Sequence, residues 1–90
     1  MPQRVIANDN VLFHQFDNEA VILNLADETY YRLDPVALDM WVALTTQPSV
    51  DDAVQQIVAA YDTTDEVVIQ DIQEFIARLV MLKLVRVETT

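Results

Sequence analysis

The 90-residue chain has no cysteine, no glycine, one histidine and one serine. Each absence removes a class of function. Without Cys there is no disulfide framework, no thiolate zinc site and no iron–sulfur cluster. Without Gly there is no glycine-rich loop to cradle a phosphate. Tight two-residue hairpin turns, which need positive φ, give way to loops of three or four residues. His14 sits in a strand-like run beside Phe13, and Ser49 reads as a helix cap. Nothing assembles them with a carboxylate into a nucleophilic relay. An EF-hand loop needs Asp at alternating positions and a Gly at its sharp turn, and neither is present. The expectation is a protein that is not an enzyme and holds no metal or cofactor.

Basic residues are also scarce. Five Lys and Arg stand against 15 Asp and Glu, for a formal net charge of −10. No Lys or Arg lies between Arg32 and Arg78, while seven acids fall from Asp51 to Glu74. Nucleic-acid phosphates and anionic lipid surfaces are repelled by such a chain. A basic peptide or basic protein is the complementary partner. No apolar run approaches the ~20 residues that span a bilayer. Met1-Pro2-Gln3-Arg4 lacks the apolar core of a signal peptide. A cytoplasmic protein with no membrane and no nucleic acid among its partners is expected.

What is present changes character near residue 34. Before it come three short runs rich in strand formers: Val11–Phe16, Ala20–Leu25 and Thr29–Leu33. The gaps, Asp17-Asn18-Glu19 and Ala26-Asp27-Glu28, suit hairpin loops. A three-stranded antiparallel meander follows. Alternation puts Val21, Leu23 and Leu25 on one face. Tyr31 and Leu33 share a face, with Tyr30 and Arg32 opposite.

Asp34-Pro35 then opens a helix as cap and first residue. Val36, Ala37, Met40, Trp41 and Leu44 form its stripe, and Trp41 reads as core. Ser49-Val50-Asp51-Asp52 opens a second helix, close to a capping box. Thr63 with Glu66 opens a third, from Asp65 to Lys83, with Val68, Ile72, Phe75, Ile76, Leu79 and Leu82 as its stripe. Leu84–Val87 closes as a short strand. The fold class expected is therefore α+β: a winged-helix-like domain, three-stranded antiparallel sheet followed by three α-helices. Residues 1–90 make one domain with a core of about 11–87, and residues 1–10 and 88–90 are expected to be flexible. If the third run is a sheet edge, its unpaired backbone is a template for an added strand.

The residues Val21-Ile22-Leu23-Asn24-Leu25, Asp27, Thr29-Tyr30-Tyr31-Arg32-Leu33-Asp34 and Met40-Trp41 resemble the PqqD-like domain. Ser49–Val54 and Phe75–Val85 look like its second and third helices. The resemblance implies a recognition element for ribosomally made, post-translationally modified peptides. Such a domain binds the leader segment of a precursor and presents it to modifying enzymes. It implies that the leader adds as a strand beside Tyr30, Tyr31, Arg32 and Leu33, in a groove walled by Asp71, Ile72, Phe75 and Leu79. Asp71 would pair with a basic leader residue.

The implied pathway is lasso-peptide biosynthesis, with a separate leader peptidase and a macrocyclase as partners. The alternatives are a peptide chaperone for a radical SAM enzyme in PQQ or related maturation and, in a different class, a winged-helix DNA-binding protein, which the charge opposes. The chain departs from its relatives in lacking Gly before the tyrosine pair and near the chain end. Glu28-Thr29 and Lys83-Leu84 stand there instead, which bears on turn geometry and strand register. An exposed edge strand would also support dimers or domain swapping.

Overall fold

The computed structural model describes residues 3–89. The element order is β1 (Gln3–Ala7), β2 (Val11–Phe16), β3 (Glu19–Asn24), β4 (Thr29–Leu33), α1 (Pro35–Thr46), α2 (Val50–Ala60), α3 (Asp65–Met81) and β5 (Val85–Thr89). The three runs read from the sequence are β2, β3 and β4. They form a three-stranded antiparallel sheet in that order. The expected α+β class, a meander followed by three helices, is the fold observed.

The pleat decides which face is buried. Ala20 and Ile22 of β3 lie opposite Leu33 and Tyr31 of β4 and point to the core. Val21 and Leu23 lie opposite Arg32 and Tyr30 on the outer face, and Leu25 beyond them is exposed. The sharing of faces by Tyr31 with Leu33, and by Tyr30 with Arg32, is as expected from alternation.

Each helix starts on a side-chain cap. The Asp34 carboxylate accepts from the Ala37 N–H at 2.8 Å, with Pro35 at the first helical position. Ser49 Oγ accepts from the Asp52 N–H and donates to the Asp52 carboxylate, both at 3.1 Å. The third cap is Thr64, not Thr63, and accepts from the Val67 N–H. Either threonine meets the local preference for a hydroxyl cap; the break at Asp62-Thr63 is one residue longer than the spacing to Glu66 suggests.

The core is one cluster. Ile22, Leu33, Leu44, Ile72 and Leu79 are among its most deeply buried members. Trp41 joins them from α1, its ring stacked on Phe13 of β2 at 6.0 Å between centroids. Removing such a side chain to Ala costs roughly 2–5 kcal/mol through lost transfer energy and the cavity left behind.

The chain ends correct the sequence reading. Within residues 1–10, expected to be flexible, Gln3–Ala7 forms β1, antiparallel to β5 with Val5 opposite Val87, and Val5 is 2% exposed. Glu88 and Thr89 likewise belong to β5. Met1, Pro2 and Thr90, also expected to be flexible, lie outside the described residues. Pairing satisfies the backbone of both terminal segments and buries Val5, and neither segment carries a partner signal within local reach. Asn8 secures the join, donating Nδ2–H to the Lys83 carbonyl at 2.9 Å, while its backbone N–H donates to the Leu84 carbonyl.

Three turns show how the chain manages without Gly. The β2–β3 hairpin corrects the expectation of a longer loop: Phe16 pairs with Glu19 across a two-residue turn, Asp17-Asn18, with Asp17 at φ of 55°, a conformation Asp tolerates. Glu28 and Lys83 both take φ of 60°, the left-handed region in which glycine has no steric penalty. Lys83 follows α3 in a Schellman motif: Lys83 N–H donates to the Val80 carbonyl and Leu84 N–H to the Leu79 carbonyl. Leu84, 2% exposed, seals the motif in the core with Leu79. The turns and the register of β4 on β3 are therefore kept at the two places where glycine is missing.

Candidate functional site

β4 pairs with β3 along one side only, and among the described residues no strand lies along its other edge. Beyond that edge runs a groove of about 250 Å³. Tyr31 and Arg32 wall it from β4, Asp34 from the cap of α1, Val36, Ala37 and Met40 from α1, and Asp71, Glu74, Phe75 and Arg78 from α3. The sequence sets this up locally. β4 runs into α1 through Asp34-Pro35 with no intervening loop, so the first turn of α1 stands beside the strand's end. Positions 71, 74, 75 and 78 recur at the 3- and 4-residue spacing of one helical face.

Arg78 spans the groove. Its Nη1 donates to the Tyr31 hydroxyl at 3.1 Å, joining α3 to β4. That hydrogen bond raises the arginine pKa further above its ordinary value, so Arg78 stays charged at any relevant pH. Arg32 turns away and pairs with Glu19 of β3 at 2.8 Å. The carboxylates of Asp34, Asp71 and Glu74 remain on the groove wall, against Arg78 as its one cation not already paired to a carboxylate. The groove is thus acidic on balance.

A second hollow of about 180 Å³ adjoins it between the three helices. It shares Val36, Met40 and Asp71 with the groove and is otherwise lined mainly by Ile57, Tyr61, Val67 and Val68. At its rim the Tyr61 hydroxyl donates to the Asp39 carboxylate, which raises the tyrosine pKa above its usual value.

Of the residues singled out from the sequence, Tyr31, Arg32, Asp71 and Phe75 come together in the groove. Leu33, Ile72 and Leu79 are each 0% exposed. They pack the floor beneath β4 and α3, hold the two walls at their spacing, and offer no surface to a ligand. Tyr30, 73% exposed, projects from the opposite face of the sheet. Sequence reasoning missed Asp34, Val36, Ala37, Met40, Glu74 and Arg78. The signals for three of them were present: Glu74 and Arg78 follow Asp71 at helical spacing, and Asp34 had been read only as a cap.

Among the described residues no three His, Asp or Glu side chains gather as a metal site. No helix there is long and apolar enough to cross a membrane.

An α+β fold with an open strand edge beside a helix-walled groove defines a class of peptide-binding architecture. The family follows from the sequence: residues 19–85 match the family Coenzyme PQQ synthesis protein D (PqqD), and the chain belongs to it. No curated protein sequence matches the chain. Among solved structures the chain is similar to TbiB1 in complex with the TbiA(beta) leader peptide, with a TM-score of 0.85 and 28% identity. That similarity covers 90% of this chain and 94% of TbiB1.

Proposed function

We propose that this protein is a non-catalytic adaptor that binds the leader segment of a ribosomally made precursor peptide. The leader adds as a strand to the free edge of β4 and lays alternate side chains into the groove against α3. The observation that carries this reading is the unpaired edge of β4 beside the groove of Tyr31, Asp71, Phe75 and Arg78. The likeness to TbiB1, a protein solved in complex with a leader peptide, supports it. The pathway we propose, from the resemblance read in the sequence, is lasso-peptide biosynthesis. There the leader would be handed to a leader peptidase and a macrocyclase in the cytoplasm.

Tyr30, Tyr31, Arg32 and Leu33 supply the pairing backbone; Asp71 and Phe75 supply the wall, with Asp34, Glu74 and Arg78 beside them. Ile72 and Leu79 act from the core by holding that wall in place. Micromolar binding requires about −8 kcal/mol net. Backbone pairing, an apolar leader side chain in the hollow at Met40 and Val68, and attraction of a basic leader residue to Asp71 together supply it after the cost of ordering the leader.

The test is anisotropy of a labelled leader, from the precursor gene adjacent to this one, titrated with the protein at two salt concentrations. Saturable binding that weakens with salt is expected. No binding up to about 100 μM, roughly the −5.5 kcal/mol level, overturns the reading. The family's description favours a second pathway, in which the peptide serves PQQ assembly by a radical SAM enzyme. Titration with that precursor in parallel discriminates the two. A DNA-binding winged helix is opposed by the net charge of −10, and a low-salt gel shift checks it.

A further inference from the structure

The two-stranded sheet of β1 and β5 offers a second open strand edge. Val5 to Ala7 of β1 are buried or half-buried against α1 and α2, while Arg86 to Thr89 of β5 are exposed. The Asn8 N–H donates to the Leu84 carbonyl, continuing the register in which Ala7 faces Val85. In an antiparallel ladder alternate residues turn their backbone groups to the same side. Leu84, Arg86 and Glu88 therefore face β1. Val85, Val87 and Thr89 direct their N–H and C=O groups outward, where no strand lies among the described residues.

We propose that this edge pairs with the same edge of a second copy, giving one antiparallel sheet in the order β1-β5-β5-β1 with a two-fold axis at Val87. Around that axis Val85-Arg86-Val87-Glu88-Thr89 is its own complement. Val87 faces Val87 of the other copy and Val85 faces Thr89, and these pairs exchange hydrogen bonds. Arg86 faces Glu88, and Glu88 faces Arg86. Within one chain these two side chains already pair at 3.3 Å. Across the axis they alternate in sign, and opposite charges facing each other favour the pairing. On the other face of the sheet Val5 and Val87 lie side by side, Val5 2% and Val87 36% exposed. The second copy extends that row and covers Val87.

Charge selects a second copy at this edge. β1 and β5 together carry Arg4 and Arg86 against Glu88 alone. The neighbouring flank of α3 is uncharged. Val80 and Val85 line one hollow, and Gln3, opposite Thr89, lines another with Ile69, Gln73 and Ile76. Thus β5 runs back along the flank of α3 that holds Ile69, Gln73 and Val80. From Val67 to Met81 the charged residues are Asp71, Glu74 and Arg78, and these line the groove on the other flank. In a molecule of net charge −10, the β5 edge is where a like molecule meets least repulsion. The β4 edge is the opposite case, since Asp34, Asp71 and Glu74 beside it would confront themselves. Pairing through β5 leaves both grooves open and does not depend on what the groove binds.

Sedimentation equilibrium of the full chain, from about 1 μM to about 1 mM, tests the pairing. One short strand pair makes a weak interface, so a dissociation constant on the order of 100 μM is expected. Val87→Pro removes an outward N–H and spares the ladder to β1; it should weaken association about ten-fold. Arg86→Glu alone, or Glu88→Arg alone, sets like charges opposite each other and should also weaken association about ten-fold. An equimolar mixture of those two variants restores opposite charges across the axis and should recover it. Unfolding midpoints check that each variant is folded. A chain monomeric throughout the range, a dimer untouched by Val87→Pro in a folded protein, or a mixture that associates no better than its separate components each overturns the proposal. If Val87→Pro does not fold, the charge variants and their mixture decide.

Discussion

The Arg78 guanidinium reaches from α3 to the Tyr31 hydroxyl on β4 at 3.1 Å, and so ties the two walls of the groove to each other. Among the described residues neither makes another side-chain hydrogen bond, and the contact is solvent-exposed. Its role is to set the spacing of the walls more than to stabilise the chain. Tyr31→Phe removes the contact and should cost under about 1 kcal/mol in urea unfolding, since an exposed hydrogen bond contributes little net stability. Tyr31→Ala also removes a half-buried ring packed on the core, and should cost about 2–3 kcal/mol. Equal losses from the two variants would mean that the hydroxyl, not the ring, carries the stability.

Strand addition at β4 has a signature in the leader rather than in the protein. Only alternate residues of an added strand direct their N–H groups to the neighbouring strand. Methylating successive leader backbone nitrogens should therefore weaken binding with a period of two. Affected positions should lose about 3- to 10-fold in affinity, the worth of one net hydrogen bond. A uniform response along the leader would contradict a paired strand. Tyr30→Ala, on the outer face, should leave the fold intact.

Glu28 and Lys83 occupy left-handed backbone with a Cβ, at φ of 60°. The conformation costs roughly 1–2 kcal/mol for a residue other than glycine. Glycine also loses more entropy on folding, which offsets part of the gain. Lys83→Gly and Glu28→Gly should each raise stability by about 0.5–1 kcal/mol in denaturant titration. Lys83→Val should lower it, because a β-branched residue fits that region worst.

Among the described residues Asn24 is the one buried polar side chain, at 1% exposure. Its Oδ1 accepts from Asn10 Nδ2 at 2.7 Å and from the Ala26 N–H at 2.9 Å, and its Nδ2 donates to the Leu82 carbonyl at 3.2 Å. It thus joins the end of β3 to the turn after α3. Asn24→Leu would break three part-buried hydrogen bonds at once and leave an apolar side chain in their place. A loss of about 2–4 kcal/mol is expected, visible as a lower thermal midpoint. A loss below about 1 kcal/mol would show that water replaces the amide.

Asp27 carries the acid sensitivity of the β3–β4 turn. The Thr29 hydroxyl donates to its carboxylate at 2.6 Å and the Thr29 N–H at 3.2 Å, and these bonds hold its pKa below the usual carboxylate range. A group whose pKa falls on folding stabilises the fold above its unfolded value, about 3.9, and loses that contribution as pH drops through the folded value. In a side-chain carboxyl titration followed by NMR, Asp27 should titrate below an ordinary exposed Asp. Thr29→Val should return it toward the ordinary range. An Asp27 midpoint unmoved by Thr29→Val would remove the hydroxyl as the cause.

Much of this molecule is written in local pattern. Alternation in Val11–Phe16, Ala20–Leu25 and Thr29–Leu33, and the caps Asp34-Pro35 and Ser49, place three strands and three helices because each signal acts within a few residues. The acidic balance and the absence of Cys and Gly excluded whole classes of chemistry on composition alone. The tertiary structure decided what depends on residues far apart in the chain. Gln3–Ala7 becomes a strand only because Val85–Thr89 is there to pair with it, 82 positions away at Val5–Val87. Ile72 and Leu79 share a helical face with Phe75, and periodicity alone cannot say which of the three borders the groove. Packing against the sheet buries all three, Phe75 at 4% exposed, and of them only Phe75 borders the groove, beside Asp71, Glu74 and Arg78. The site is a gap between β4 and α3, and a gap has a shape only once both walls are in place.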